Sequence, residues 1–247
     1  MSEMAQSGTG VQVVCGSTLI GEVVDMKLPS RTVNEADSTS HDNLEGVESS
    51  IPTTITQGDG TVKINYYGST VQDALWTDMT ARTIREWMFI MPMAFAGGGR
   101  SYTFNGYIKS INMTTPMKGP VQWDITVKAI SSTVPKTTGA AGLTTPFMAF
   151  IDNDANAITP TETPAQTTYE YNLECYSDDT YLILTPTAAV GTIYVNGTVC
   201  VSGAASGHIT TPTATGGVIY IVVMVAEAGK TPKVYRIRVQ KGLTVHP

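Results

Sequence analysis

From Val121 to Ala129 apolar and polar residues alternate without a break. Val121, Trp123, Ile125, Val127 and Ala129 fall on one side of an extended chain, and Gln122, Asp124, Thr126 and Lys128 on the other. That period of two predicts a strand with one buried and one wet face. Residues 21–29, 60–68, 84–92 and 101–111 read as further strands, and the glycine-rich run 96–100 suits a hairpin between the last two. One helix interrupts them. Val71, Leu75 and Met79 recur every four residues with Trp76 alongside, and Ser69 or Thr70 can cap the first turn ahead of Asp73.

Between 131 and 165 the pattern dissolves into Pro, Thr, Gly and Ala. This predicts a first domain over 1–150, a linker over 151–165 and a second domain over 166–247. Residues 147–158 either clip onto the first domain or open the second. From Thr168 onward short strands return at 169–175, 181–187, 191–200, 217–226 and 233–241, with turn signals such as Asn196-Gly197 between them. In the last, Val234, Arg236 and Arg238 alternate against Tyr235, Ile237 and Val239, and the spacing is that of a small β-sandwich. The fold class is therefore mainly β, with one short helix flanking the first domain.

One segment fits neither pattern. Residues 30–52 carry Glu35, Asp37, Asp42, Glu45 and Glu48 against Arg31, and have little to bury. A polar loop of this length inside a compact domain is either functional or disordered. The remaining composition sharpens the contrast: of 247 residues 42% are hydrophobic, enough for two cores, and only 15% are charged, with a formal net charge of −6. No basic stripe exists to neutralise phosphates, which argues against tight nucleic-acid binding. The amino terminus has no basic start or apolar core of a secretory signal, and the longest apolar run, 218–226, is about half a membrane span. Synthesis in the cytoplasm, with no membrane partner, is expected. Cys15, Cys175 and Cys200 form no CxxC; the spacing permits a Cys175–Cys200 disulfide but does not demand one.

Reactive chemistry is missing. His41, His208 and His246 are scattered in polar surroundings, without the spacing of metal ligands. Residues 152–156 resemble the start of a calcium loop, yet the turn glycine is absent and Thr163 stands where its bidentate acid belongs. The glycines at 97–99 lie between strands rather than before a helix, so they are no phosphate cradle. No GxSxG occurs. No active site, metal or cofactor is expected.

The order of features is more telling than any motif: an acidic loop after the first strands, "GDGTVKINYY", one short helix, "EWMFIMP", a glycine turn, "FNGYIKSI" with Gly106-Tyr107, then "VQWDITVKAI". This order resembles the tail tube protein of long-tailed, non-contractile bacteriophages such as lambda, in which an immunoglobulin-like domain is often fused at the carboxy terminus. "PKVYRIRVQKG" looks like the closing strand of such a domain.

The resemblance implies a virion tail protein that forms stacked hexameric rings. Its partners would be further copies of itself and the tape-measure, tail-tip and tail-terminator proteins. Duplex DNA would pass through the lumen without specific binding. In that family a long loop orders against the neighbouring ring, a role that falls here on Val33, Asn34, Glu35, Asp37, His41, Asp42, Leu44, Glu45, Val47 and Ile51. If each subunit gives four strands to a shared barrel, about 24 strands at about 4.8 Å make a backbone diameter of at least roughly 37 Å, wide enough for a duplex.

An acidic wall would repel DNA, and Glu22, Gln122, Asp124 and Thr126 are the candidates for it. Lys109 and Lys128 are awkward there unless paired with acids. The second domain is expected to decorate the outside, touching host-surface glycan or shielding the tube, and to be dispensable for assembly when the chain is cut near 160. The competing reading is a monomeric module of two β-sandwiches, an adhesin or capsid decoration protein. It leaves the acidic loop unexplained.

Overall fold

A computed structural model describes residues 11–38, 50–66, 68, 70–91, 100–159 and 170–244. The first half forms β1 (Gln12–Cys15), β2 (Thr18–Leu19), β3 (Val23–Lys27), β4 (Arg31–Asp37), β5 (Ser50–Gln57), β6 (Asp59–Asn65), α1 (Thr70–Ala81), β7 (Arg85–Ile90), β8 (Ser101–Thr114), β9 (Gln122–Ala129) and β10 (Val134–Lys136). All but β4 and β5 join one sheet in the order β2-β1-β7-β8-β9-β6-β3, with β10 added on β8. Its inner face is the core expected from the alternation: Trp123, Ile125, Val127 and Ala129 of β9 meet Val62 and Ile64 of β6, Phe104 and Ile108 of β8, and Trp87 and Phe89 of β7. β7 and β8 pair antiparallel, as a hairpin across the glycine run requires, although 92–99 themselves lie outside the described residues.

The helix is where the periodicity predicts it, but turned. Gln72 and Leu75 are buried and Met79 packs on the core, while Trp76 keeps half its surface exposed. The cause is polar: the Gln72 amide donates to the Asn65 carbonyl at 2.8 Å, pinning the first turn to the end of β6. Trp76 still leans towards Trp123, whose ring stacks on Tyr66 at 4.3 Å. The helix ends on Arg82 at φ 55°, and the Arg85 guanidinium then forks onto the Asp78 carboxylate at 2.8 and 3.0 Å.

The second half forms β11 (Leu143–Ile151), β12 (Ala157–Ile158), β13 (Glu170–Cys175), β14 (Tyr181–Ala188), β15 (Thr192–Val195), β16 (Thr198–Cys200), β17 (Ile209–Thr210), β18 (Val218–Ala226) and β19 (Lys233–Lys241). They make two facing sheets, β12-β11-β14-β17 and β13-β19-β18-β15-β16. Tyr235, Ile237 and Val239 fill the space between them with Leu182, Leu184, Ile221 and Val223. Asn196 and Gly197 both take positive φ, the backbone of the hairpin turn their sequence predicts.

The domain boundary differs from the one expected. β11 pairs with β14, so residues 143–158 open the second sandwich instead of closing the first, and a cut at 150 would split a strand. Leu143 and Phe150 are buried in the second core, and the Leu143 amide donates to the Tyr235 hydroxyl. The irregular composition of 131–165 therefore conceals three strands, β10, β11 and β12, that tertiary pairing stabilises.

Nor is the second sandwich a free appendage. Val14 and Ile90, on the outer face of β1 and β7, are buried against Met224 and Val234 of the second sandwich, with Leu19, Met88, Tyr194 and Val222 around them. Polar contacts frame this patch: Ser17 Oγ donates to the Gly197 carbonyl at 3.1 Å, and the hydroxyls of Ser101 and Thr231 meet at 3.0 Å in the interior. A side chain at Gly197 would also strike Thr18.

The three cysteines are free. β13 and β16 are opposite edges of one sheet, about 19 Å apart at four strand spacings, so Cys175 and Cys200 cannot pair. Burial pushes the Cys15 thiol up to about 12, leaving it inert.

Candidate assembly surface

β4 and β5 form a two-stranded antiparallel ribbon separate from both domains' sheets. Every residue of Arg31–Asp37 is exposed, and so is every residue of β5 except the partly covered Gln57 at its base. The ribbon is not an independent hairpin in origin. β3 runs into β4 through Leu28, Pro29 and Ser30, β5 runs into β6 through Gly58 alone, and the Gly58 amide donates to the Ser30 carbonyl at 2.8 Å. The β3–β6 pair thus continues past the end of the sheet, at the end where Asp59 faces Lys128.

Register gives the ribbon two unlike faces. Val33 lies opposite Ile55, Glu35 opposite Pro52 and Asp37 opposite Ser50, with a bulge opposite Asn34. Ser50 donates to the Glu35 carboxylate at 3.0 Å on this acidic, apolar face. On the other, the Asn34 amide donates to the hydroxyls of Thr54 and Thr56 at 2.9 and 2.7 Å. Of the loop residues singled out in the sequence, Val33, Asn34, Glu35, Asp37 and Ile51 are on the ribbon, whereas His41, Asp42, Leu44, Glu45 and Val47 lie outside the described residues. The sequence reading missed Ile55, half exposed beside Val33. It stands beyond the acidic run and was lost among threonines.

The second surface is the outer face of β3, β6, β9 and β8. Gln122, Asp124 and Thr126 share it, as their alternation predicts. Cross-strand register adds Asp25, Lys27, Asp59, Thr61 and Lys63. Asp59, which the sequence reading did not single out, answers the question of the two lysines: its carboxylate accepts from Lys109 Nζ at 2.8 Å and faces Lys128 Nζ at 3.3 Å. The Lys109 hydrogen bond is the main cause that holds the Asp59 carboxyl below its ordinary range. Lys63 pairs with Asp124 at 3.4 Å.

Three acids, Asp25, Asp59 and Asp124, therefore stand against four lysines, Lys27, Lys63, Lys109 and Lys128, and the face is mixed in charge instead of acidic. Alternation assigns a residue to a face, but only register supplies its partners. Glu22 stands at the end of this layer where Asn65 lies opposite Gln122. It accepts from Asn65 and from Arg236 of the second sandwich, both at 3.3 Å, and so ties the two domains together. Arg236 also lies over the Tyr220 ring at 4.1 Å.

No group of ligands able to hold a metal occurs among the described residues. His208 stacks on Tyr181 at 3.8 Å, and Asp152 closes its own turn by accepting from the amides of Asp154 and Asn156. No described helix is long and apolar enough to cross a membrane.

No protein-family model and no curated protein matches the chain. Among solved structures it is similar to a chain of the virion of a native gene transfer agent particle, at 12% identity over 54% of this chain and 100% of the other, with a TM-score of 0.45. It is similar to a chain of the sheath/tube terminator of an extracellular contractile injection system in its extended state, at 10% identity over 56% and 100%, with a TM-score of 0.47. It is also similar to the SPP1 tail tube, at 12% identity over 66% and 94%, with a TM-score of 0.40.

Proposed function

We propose that this chain is the tail tube subunit of a long-tailed, non-contractile bacteriophage, polymerising into stacked hexameric rings that conduct DNA. The observation that carries this reading is the β4–β5 ribbon. A lone two-stranded ribbon is marginal in water, because it buries almost nothing to offset the ordering of its backbone. This one holds Val33, Ile51 and Ile55 about half exposed. Such a device is useful only when a partner covers it, and stacked copies of the same chain supply that partner.

Ring closure uses the edge of the sheet. Among the described residues β3 ends the strand path with one side unpaired, and it offers that side to a neighbour. The strands β8, β9, β6 and β3 then line the lumen with their polar face, six sets making the barrel. A wall in which Lys63, Lys109 and Lys128 are tied to carboxylates suits passage as well as an acidic one, since tied lysines release few counterions on meeting phosphate.

Replacing Asp59 by Asn unties Lys109 and Lys128. The free subunit is then expected to retain duplex DNA at low salt, with a salt slope steeper by about one or two phosphate contacts. Fluorescence anisotropy over a salt series measures it, and an unchanged slope contradicts a DNA-facing role for this face.

The second sandwich, read as immunoglobulin-like, lies outside the tube, where it shields the wall or touches host glycan. The tape-measure, tail-tip and terminator proteins complete the tail, and the assembled virion tail is its location. Sedimentation velocity across a concentration series tests the assembly: ring-sized and larger species growing with concentration are expected, and one monomeric boundary throughout contradicts it.

A further inference from the structure

The two ends of the β3–β6–β9–β8 layer are chemically unlike, and one of them fits the ribbon. At one end Asp59 faces Lys128, and the ribbon leaves from there. At the other, Asn65 faces Gln122, Gln122 faces Thr114, and residues 115–120 turn the chain between β8 and β9. The seven residues of β6 separate the two ends by about 23 Å, and the seven residues of β4 reach about as far again.

We infer, resting on the tube reading above, that the acidic apolar face of the ribbon docks on the β8–β9 turn of a second copy stacked end to end with the first. Three features of that turn fit. Met113 is 61% exposed and Met117 is fully exposed, although neither serves the fold, and flexible thioethers adapt to an irregular apolar partner such as Val33, Ile55 and Pro52. Lys118, beside them, is exposed and has no ion pair among the described residues. Glu35 and Asp37 sit on the ribbon face that carries the apolar residues, so contact brings a cation to a surface that holds two acids.

Direction is the third feature. Donor and acceptor surfaces occupy opposite ends of the same strands, so each copy gives one contact and receives one. Such a contact is heterologous and repeats along an open stack instead of closing into a pair. Contact of ribbon with ribbon would set like charges together.

The test uses the full chain with Cys200, the half-exposed native thiol, changed to Ser. One preparation carries Val33→Cys and another Met117→Cys. Each alone, and an equal mixture, is concentrated and treated with a short bismaleimide, which tolerates more geometric slack than a disulfide. The mixture is expected to give a linked dimer on a denaturing gel, at least about tenfold more abundant than in either preparation alone. If electron microscopy shows tubes and the mixture gives no such product, or Val33→Cys links to itself as well as to Met117→Cys, the docking site is wrong and the tube reading stands. If neither tubes nor linked dimers form, both are wrong.

Discussion

A chain that stops before Leu143 will not stay in solution. Cutting there removes Met224, Val234, Tyr194 and Val222 from the outer face of β1 and β7, and leaves Val14, Leu19, Met88 and Ile90 facing water. Val14 and Ile90 are 1% and 2% exposed in the full chain. Each aliphatic side chain of this kind is worth about 1.5–3 kcal/mol when fully buried, so these two alone represent about 3–6 kcal/mol, a large part of a small domain's stability. The bared patch also lies beside β1 and the short edge strand β2, a combination that invites aggregation. The soluble fraction after expression measures the outcome, and Val14→Thr with Ile90→Thr should restore part of it. A soluble truncated chain with the full chain's urea midpoint would contradict the expectation. Cutting near 160, which the sequence alone marks as harmless, fails for a further reason: β11 stays behind without β14.

Removing the ribbon has the opposite signature. With Val33–Ile55 replaced by Asn-Gly, Thr32 and Thr56 remain paired across a two-residue turn. No ribbon residue belongs to any of the core clusters, so the unfolding midpoint should shift by no more than about 0.5 kcal/mol. Assembly should be lost. Val33 and Ile55 are 51% and 53% exposed, so covering them contributes about 1.5–3 kcal/mol per contact, roughly ten- to a hundredfold in concentration before repetition around a ring multiplies it. Light scattering against concentration reads this directly. A variant that unfolds would mean the ribbon belongs to the fold, and one that assembles at the usual concentration would mean it is no contact at all.

The sheet of the first domain was legible because its strands have one wet face. The alternation of 121–129 fixes both which residues of β9 are buried and which share the polar surface, and the structure keeps that division residue by residue. The outer face of β1 and β7 was legible in principle. "WMFIM" at 87–91 is apolar on both sides, a sign that both faces are covered, and Val13, Val14 and Cys15 are buried in succession. Reading 84–92 as one more strand, and 12–15 as none, hides the docking of the second sandwich. The boundary near 140 was invisible to composition, because Pro and Thr are as common in β10 and β11 as in the expected linker. The tie between Glu22 and Arg236 could not be read beforehand, because the two are more than two hundred positions apart and no local pattern connects them.

Where 30–52 reads as a polar loop, its described ends, 31–37 and 50–52, are strands. Thr32, Val33, Ile51, Thr53, Thr54, Ile55 and Thr56 are β-branched, and that content extends the β3–β6 pair where the acids alone would have left a loop. The ribbon's cross-strand links, Glu35 with Ser50 and Asn34 with Thr54 and Thr56, depend on register and could not be read beforehand.

The central claim is assembly into a hollow conduit, and electron microscopy of the concentrated full-length protein, in negative stain, tests it most directly. Hollow rings or tubes with a channel wide enough for a duplex, inside a barrel of at least roughly 37 Å, are the predicted result. Isolated two-lobed particles at every concentration, with no ring or tube among them, would contradict it and favour a monomeric binding module.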